Sequence, residues 1–218
     1  MIRCGTMNEE TKRLKNRFLK SKVLSLRTKI ILINSYILSK GTYNCGTWPP
    51  LLKPCISKFH STVMAMYRIA AGNYYIKDED NSHLLSDADV IFHYQFISPI
   101  NLIKMSNLSL FCRILIKNSE YILSIIRQMS EVPSGWIKSV RDNVIYCSSH
   151  PDCYVFSGKS FEDILNIVAQ DPRYWLKIFR KILRLPYYNL IITDKGQEGP
   201  PSLSLLEDPE EPPPHLYV

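Results

Sequence analysis

The sequence predicts an all-α protein, a helical bundle built on an N-terminal αα-hairpin and followed by a disordered, acidic, proline-rich tail. Apolar residues recur at steps of three and four along most of the chain. Gly and Pro interrupt this pattern at short intervals, and 45% of the 218 residues are hydrophobic, which is enough for a core. We divide the chain into a basic helical hairpin (1–75), a helical connector (76–132), a small C-terminal helical subdomain (133–192) and the tail (193–218).

The first predicted helix runs from about Asn8 to Ser39. Asn8 is a suitable N-cap residue, and Gly41 is a suitable stop at the other end. Between them an apolar stripe keeps helical spacing, which predicts one face packed against the rest of the protein. The stripe consists of Val23, Leu26, Ile30, Ile33 and Ile37.

The same helix carries a second, cationic set of residues. Residues 1–77 contain fourteen Lys and Arg and two acids, a formal charge of +12, whereas residues 78–218 carry −5. A cationic helix face neutralises phosphates without reading bases, so it predicts salt-sensitive, sequence-tolerant contact with an RNA or DNA backbone. The alternative is a solvated basic face. The set comprises Arg13, Arg17, Lys20 and Arg27 at helical spacing, with Lys15, Lys22 and Lys29 repeating every seven residues.

A turn rich in Gly and Pro follows at residues 41–50. Tyr43 and Trp48 are expected to lie between the helices as core aromatics, with base stacking as the alternative. The next helix is predicted from about Leu51 to Ala71 and ends at Gly72. The short connection favours an antiparallel αα-hairpin.

The rest of the chain contains further helix signals. Ser86 caps a short helix over 87–96. Pro99 then opens either one long helix or two helices with a break near Asn118-Ser119. The later predictions are a helix from Trp136 that ends before the loop 147–158, one over 161–170 capped by Ser160, and one over 173–184 opened by Asp171-Pro172.

Beyond the last helix, residues 187–192 are compatible with a short strand or an extended arm. Residues 194–218 hold six prolines, six acids and one lysine. This composition predicts the disordered tail.

The residues needed for polymerase chemistry are not apparent. Paired carboxylates hold two metal ions in polymerases, but residues 1–77 contain no Asp and the chain contains no Asp-Asp pair. We therefore expect no enzymatic activity and no cofactor. Cys147, His150 and Cys153 are a weak zinc candidate because a fourth ligand is missing; the alternative is a pair of loop thiols beside an exposed histidine.

The six cysteines form no Cys-x-x-Cys pair, which is typical of reduced thiols in an intracellular protein of the nucleus or cytoplasm. The sequence contains no apolar run of the roughly 18 residues that a membrane span needs. We therefore expect no membrane partner.

Several segments, in order, resemble the C-terminal region of LINE-type non-LTR retrotransposon reverse transcriptases. The resemblance covers about residues 13–145. The segments that carry it are Thr28–Ser39 with Lys40-Gly41-Thr42-Tyr43 and Trp48, Pro49–Gly72, Ser86–Val90, Pro99, Leu110–Leu115, Ser134–Trp136 and Val140–Asp142.

In that family this region is the thumb and the connector beyond it. The resemblance implies helical packing and contact with the backbone of a template–primer duplex. It also implies a truncated, non-catalytic fragment of an RNA-directed DNA polymerase polyprotein, without the palm. The missing polymerase domains or another protein are then expected to cover its apolar surface. The alternative is a helical protein–protein interaction or structural domain with no nucleic-acid role.

Overall fold

A computed structural model of the protein describes residues 2–72, 75–77, 82–117, 119–130 and 135–185. These residues form ten α-helices, short π- and 3-10-helical segments, and one two-stranded hairpin. The predicted all-α class is confirmed. The predicted arm (187–192) and tail (193–218) lie outside the described residues.

The N-terminal region contains two helical rods where the sequence predicted one. Helix α1 (Ile2–Leu14) continues as a π-helical segment (Lys15–Leu19). After a break, α2 (Leu26–Leu32), a second π-helical segment (Ile33–Leu38) and α3 (Ser39–Gly41) follow without interruption.

The prediction of a single helix from Asn8 to Ser39 is therefore wrong, and local hydrogen bonds explain the break. Ser25 adopts an extended conformation, and its hydroxyl accepts a hydrogen bond from the Thr28 amide at 3.2 Å, so it caps a new helix. The Ser21 hydroxyl accepts another from the Val23 amide at 3.2 Å. Such side-chain bonds compete with helical ones.

Helix α4 (Lys53–Ala71) is reached through a 3-10 turn (Cys45–Thr47) and ends at Gly72, whose φ of +75° favours glycine. The Lys29 ammonium of α2 donates to the carbonyl of Ala70 at 3.3 Å. Helix α2, which opens the second rod, therefore lies beside the end of α4, as in the predicted antiparallel hairpin.

A small β-hairpin follows α4 and was not predicted. Strand β1 (Tyr75–Lys77) pairs antiparallel with β2 (Ser82–Leu84), with Tyr75 opposite Leu84. Strands of three residues are too short to show an alternating pattern in the sequence.

The later helices agree closely with the sequence signals. Ser86 and Asp89 form a capping box at α5, and Ser160 and Asp163 form another at α9. Of the two alternatives after Pro99, the structure has two helices. The elements are α5 (Asp87–His93), α6 (Pro99–Lys117), α7 (Glu120–Ser130), α8 (Gly135–Cys147), a 3-10 turn (Pro151–Phe156), α9 (Phe161–Gln170) and α10 (Pro172–Arg184).

Two apolar clusters form the core, and α6 contributes to both. The first cluster joins α1–α5, with Leu102 and Ile103 of α6 packed against it. The second joins α6–α10 and includes Leu108 and Phe111. By length and composition α6 could also cross a membrane, but 44% of its apolar window is buried in the protein, as is common for a core helix. The predicted domain boundaries remain predictions.

Candidate nucleic-acid interface

Five of the seven predicted cationic residues are exposed on one stretch of chain. We call this stretch the basic turn; it runs from the end of α1, through the π-helical segment and the break, to the first turn of α2. Its exposed members are Arg13, Arg17, Lys20, Lys22 and Arg27.

The break changes the shape of this surface. The sequence predicted a straight stripe, but Lys20 and Lys22 lie in the connection between two rods. Leu19 is fully buried and anchors this connection to the first cluster. Val23, expected on the buried stripe, is instead 93% exposed, because it lies in the break.

Lys29 does not share the exposed surface, although it continues the seven-residue repeat of Lys15 and Lys22. Its side chain is buried, and its ammonium bonds to the Ala70 carbonyl near the end of α4. A cation at a helix C-terminus interacts favourably with the helix dipole. Lys29 therefore stabilises the α2–α4 contact. Lys15, the other predicted residue that is not exposed, is half-buried.

One carboxylate lies close to the basic turn, and other groups already engage it. Glu10 is buried beside Lys40, whose Nζ donates to its Oε1 at 2.7 Å, and Arg13 Nη1 lies 3.5 Å from the same oxygen. The hydrogen bond from Lys40 lowers the pKa of Glu10. Among the described residues, no carboxylate lies within 4.0 Å of Arg17, Lys20, Lys22 or Arg27. Most of the positive charge is thus free to meet solvent or a polyanion.

The aromatic residues of the turn after α3 differ from each other. Tyr43 is 72% exposed, so its predicted place in the core is wrong, whereas Trp48 is half-buried. Arg3 of α1 contacts both residues: it donates to the Tyr43 carbonyl, and its guanidinium carbon lies 5.2 Å from the Trp48 ring centroid and 6.0 Å from that of Tyr43. The N-terminal helix thus fixes the backbone of the turn and leaves the Tyr43 ring outside.

Gly41 has a packing role in addition to ending α3. It is buried against Met7 of α1, and a β-carbon built at Gly41 would lie 2.5 Å from Met7 Cγ. The two rods therefore approach more closely here than any other residue type would allow.

Cys147, His150 and Cys153 lie near one another in sequence, but the two thiols belong to the second core cluster. Burial raises the pKa of Cys147, and it raises that of Cys153 to about 12, which opposes the thiolate form that zinc needs. His150 is part-buried rather than exposed, and its Nδ1 accepts from the Asp152 amide at 3.2 Å. Within the described residues no three His, Cys, Asp or Glu side chains are grouped so as to hold a metal ion.

Comparison of the chain with protein-family models, curated proteins and solved structures gives no match. The resemblance to LINE-type reverse transcriptases consequently depends on the sequence segments alone.

Proposed function

We propose that this protein is a non-catalytic, thumb-like module that binds the sugar–phosphate backbone of RNA or DNA through the basic turn. The observation that carries the proposal is the exposure of Arg17, Lys20, Lys22 and Arg27 without a carboxylate partner among the described residues. The resemblance to the thumb of a LINE-type reverse transcriptase adds a duplex of the template–primer type as the natural ligand.

The chemistry of the basic turn suits backbone contact better than base readout. Arginine forks pair with phosphate oxygens in two parallel hydrogen bonds, and lysines act as point charges. Each neutralised phosphate releases counterions, so log K falls with log salt by about 0.9 per contact on B-form duplex. Five contacts would reduce the affinity about 500-fold between about 50 and 200 mM salt.

A salt titration with a charge-matched control tests this proposal. Fluorescence anisotropy would measure binding of a labelled RNA–DNA duplex to the full chain and to Arg17→Gln/Lys20→Gln/Lys22→Gln. The control, Lys58→Gln/Lys117→Gln/Lys159→Gln, removes the same charge from exposed positions elsewhere.

We expect the first triple variant to lower the slope of log K against log salt by about 2.7, and the control to leave it nearly unchanged. Equal losses in both variants would mean that net charge, rather than the basic turn, attracts the duplex. A salt-independent affinity of the natural chain would also refute the proposal.

The exposed face of α7 favours a second candidate function, protein–protein interaction. Ile122, Ile125 and Met129 fall on one side of this helix and are 37–44% exposed, whereas Ile126 packs into the core. In keeping with the resemblance, the partner would be the palm region of a LINE-type reverse transcriptase, covering this apolar row.

Size-exclusion chromatography with such a palm polypeptide should show a complex that Ile122→Glu/Ile125→Glu abolishes. Absence of a complex with the natural chain would exclude this function.

A further inference from the structure

A cavity of about 470 Å³ opens between the turn after α3 and helices α6 and α10. It shares no residue with the basic turn, so a ligand bound there would be independent of the proposed function. Its size is within the range of small-ligand sites.

Three arginines line this cavity: Arg113 of α6, and Arg180 and Arg184 of α10. Arg180 and Arg184 are four residues apart, so they project from the same side of their helix. The lining contains no Asp or Glu. Nor does any described carboxylate lie within ion-pair distance of the three guanidinium groups.

The guanidinium group of Arg180 is already oriented. Its Nε donates to the Ser109 hydroxyl at 3.3 Å, which leaves the two terminal nitrogens for a ligand. Ser109 is itself buried on α6. A ligand would therefore meet at least one arginine whose position does not have to be ordered on binding.

The facing wall of the cavity is also fixed in place. A β-carbon at Gly46 would lie 2.9 Å from the Ser106 carbonyl, so the turn is pressed directly against α6. The Gly46 carbonyl accepts hydrogen bonds from Asn107 Nδ2 at 3.0 Å and from Trp136 Nε1 at 2.5 Å. Ser106 and Ser109 also line the cavity, whereas the Thr42 hydroxyl is occupied, since it donates to the Leu38 carbonyl at 2.7 Å.

We propose that this cavity is a binding site for a small phosphorylated ligand, a diphosphate or a phosphomonoester. Three arginines along one cavity supply the positive charge and the paired N–H donors that phosphate oxygens accept, which suits a phosphorylated group better than a single carboxylate. The Ser109 hydroxyl, which accepts from Arg180, keeps its own proton for a phosphate oxygen. The volume leaves room for the rest of a small phosphorylated molecule.

Isothermal titration calorimetry of the full chain with inorganic pyrophosphate tests the site. We expect one pyrophosphate per chain, and at least about a tenfold weaker affinity for Arg184→Gln and for Arg113→Gln, because each loses charge-assisted hydrogen bonds. Arg180→Lys keeps the charge but loses the fork, so it should also weaken binding. Arg113 and Arg184 are exposed, so their variants should fold, and circular dichroism would verify it.

The matched control is Arg173→Gln, which removes an exposed arginine from the first turn of the same helix and outside the cavity. It should bind pyrophosphate as the natural chain does, as should the triple variant of the basic turn. If the folded natural chain takes up no pyrophosphate, or if Arg173→Gln weakens binding as much as Arg184→Gln, the site does not exist. If the natural chain binds pyrophosphate but does not bind the duplex, the proposed function alone is refuted.

Discussion

Replacement of Gly41 by alanine tests the close approach of the N-terminal rods. The new methyl group would overlap Met7 Sδ and lie 2.5 Å from Cγ, and Met7 is fully buried, so the side chain has no solvent to move into. Overpacking of this kind costs about 1–3 kcal/mol. Replacing glycine by alanine also stabilises the folded state by about 0.5–1 kcal/mol, because it lowers the conformational entropy of the unfolded chain and favours the helix. We expect Gly41→Ala to lower the free energy of unfolding by about 1–2 kcal/mol.

Urea denaturation followed by far-UV circular dichroism measures this change, and a double-mutant cycle assigns its cause. Met7→Ala alone should cost about 2–5 kcal/mol through the cavity that it leaves. The methyl group added by Gly41→Ala would fill part of that cavity, so Gly41→Ala/Met7→Ala should be more stable than the sum of the single changes by about 1 kcal/mol or more. Strict additivity, or a Gly41→Ala protein as stable as the natural one, would show that Met7 does not restrict this position.

Three further predictions concern pH and helix caps. Burial lowers the pKa of Lys104 to about 8, so the unfolded chain binds more protons above that pH, and stability should rise between about pH 8 and 10. Lys104→Met should abolish this rise in urea titrations, and an undiminished rise would contradict the assignment. Burial acts to raise the pKa of Asp87, but hydrogen bonds from Arg68 and His60 outweigh it and lower the pKa. The contribution of Asp87 is therefore present above about pH 4 and lost as the pH falls further, and Asp87→Asn should reduce the acid sensitivity of the melting temperature. Ser160→Ala should cost about 1 kcal/mol in the same denaturation assay, because the cap of α9 is lost, and an unchanged midpoint would contradict that role.

The elements that the sequence predicted correctly are those whose ends are decided locally. Ser86 with Asp89, and Ser160 with Asp163, are capping boxes that can be read from four consecutive residues. Gly72 ends α4 for an equally local reason, its positive φ. These signals do not depend on what the helix packs against.

The break after Leu19 was missed because steps of three and four continue through it. Ser25 carried a usable signal, since serine is a common N-cap residue, but the charge and apolar periodicities concealed it. The spacing of the charged residues was thus a poor guide to their exposure. Lys29 keeps the seven-residue spacing, but its side chain bonds to the distant carbonyl of Ala70.

The arginine cavity depends on tertiary structure throughout. Arg113 and Arg184 are far apart in sequence, and the turn that faces them at Gly46 is far from both. No local pattern links them, because the packing of α10 on α6 brings them together. Arg3 likewise reaches the Tyr43 carbonyl from another helix, a contact that residue spacing does not indicate.

The sharing of α6 between the two apolar clusters has a consequence for how the protein unfolds. Residues near the start of α6 support the first cluster, and Leu108 and Phe111 support the second, so melting this one helix removes packing from both. The two clusters should then not unfold independently. Heat or denaturant should unfold the helices of both clusters in one cooperative step. A cut within the helix should therefore destabilise both halves.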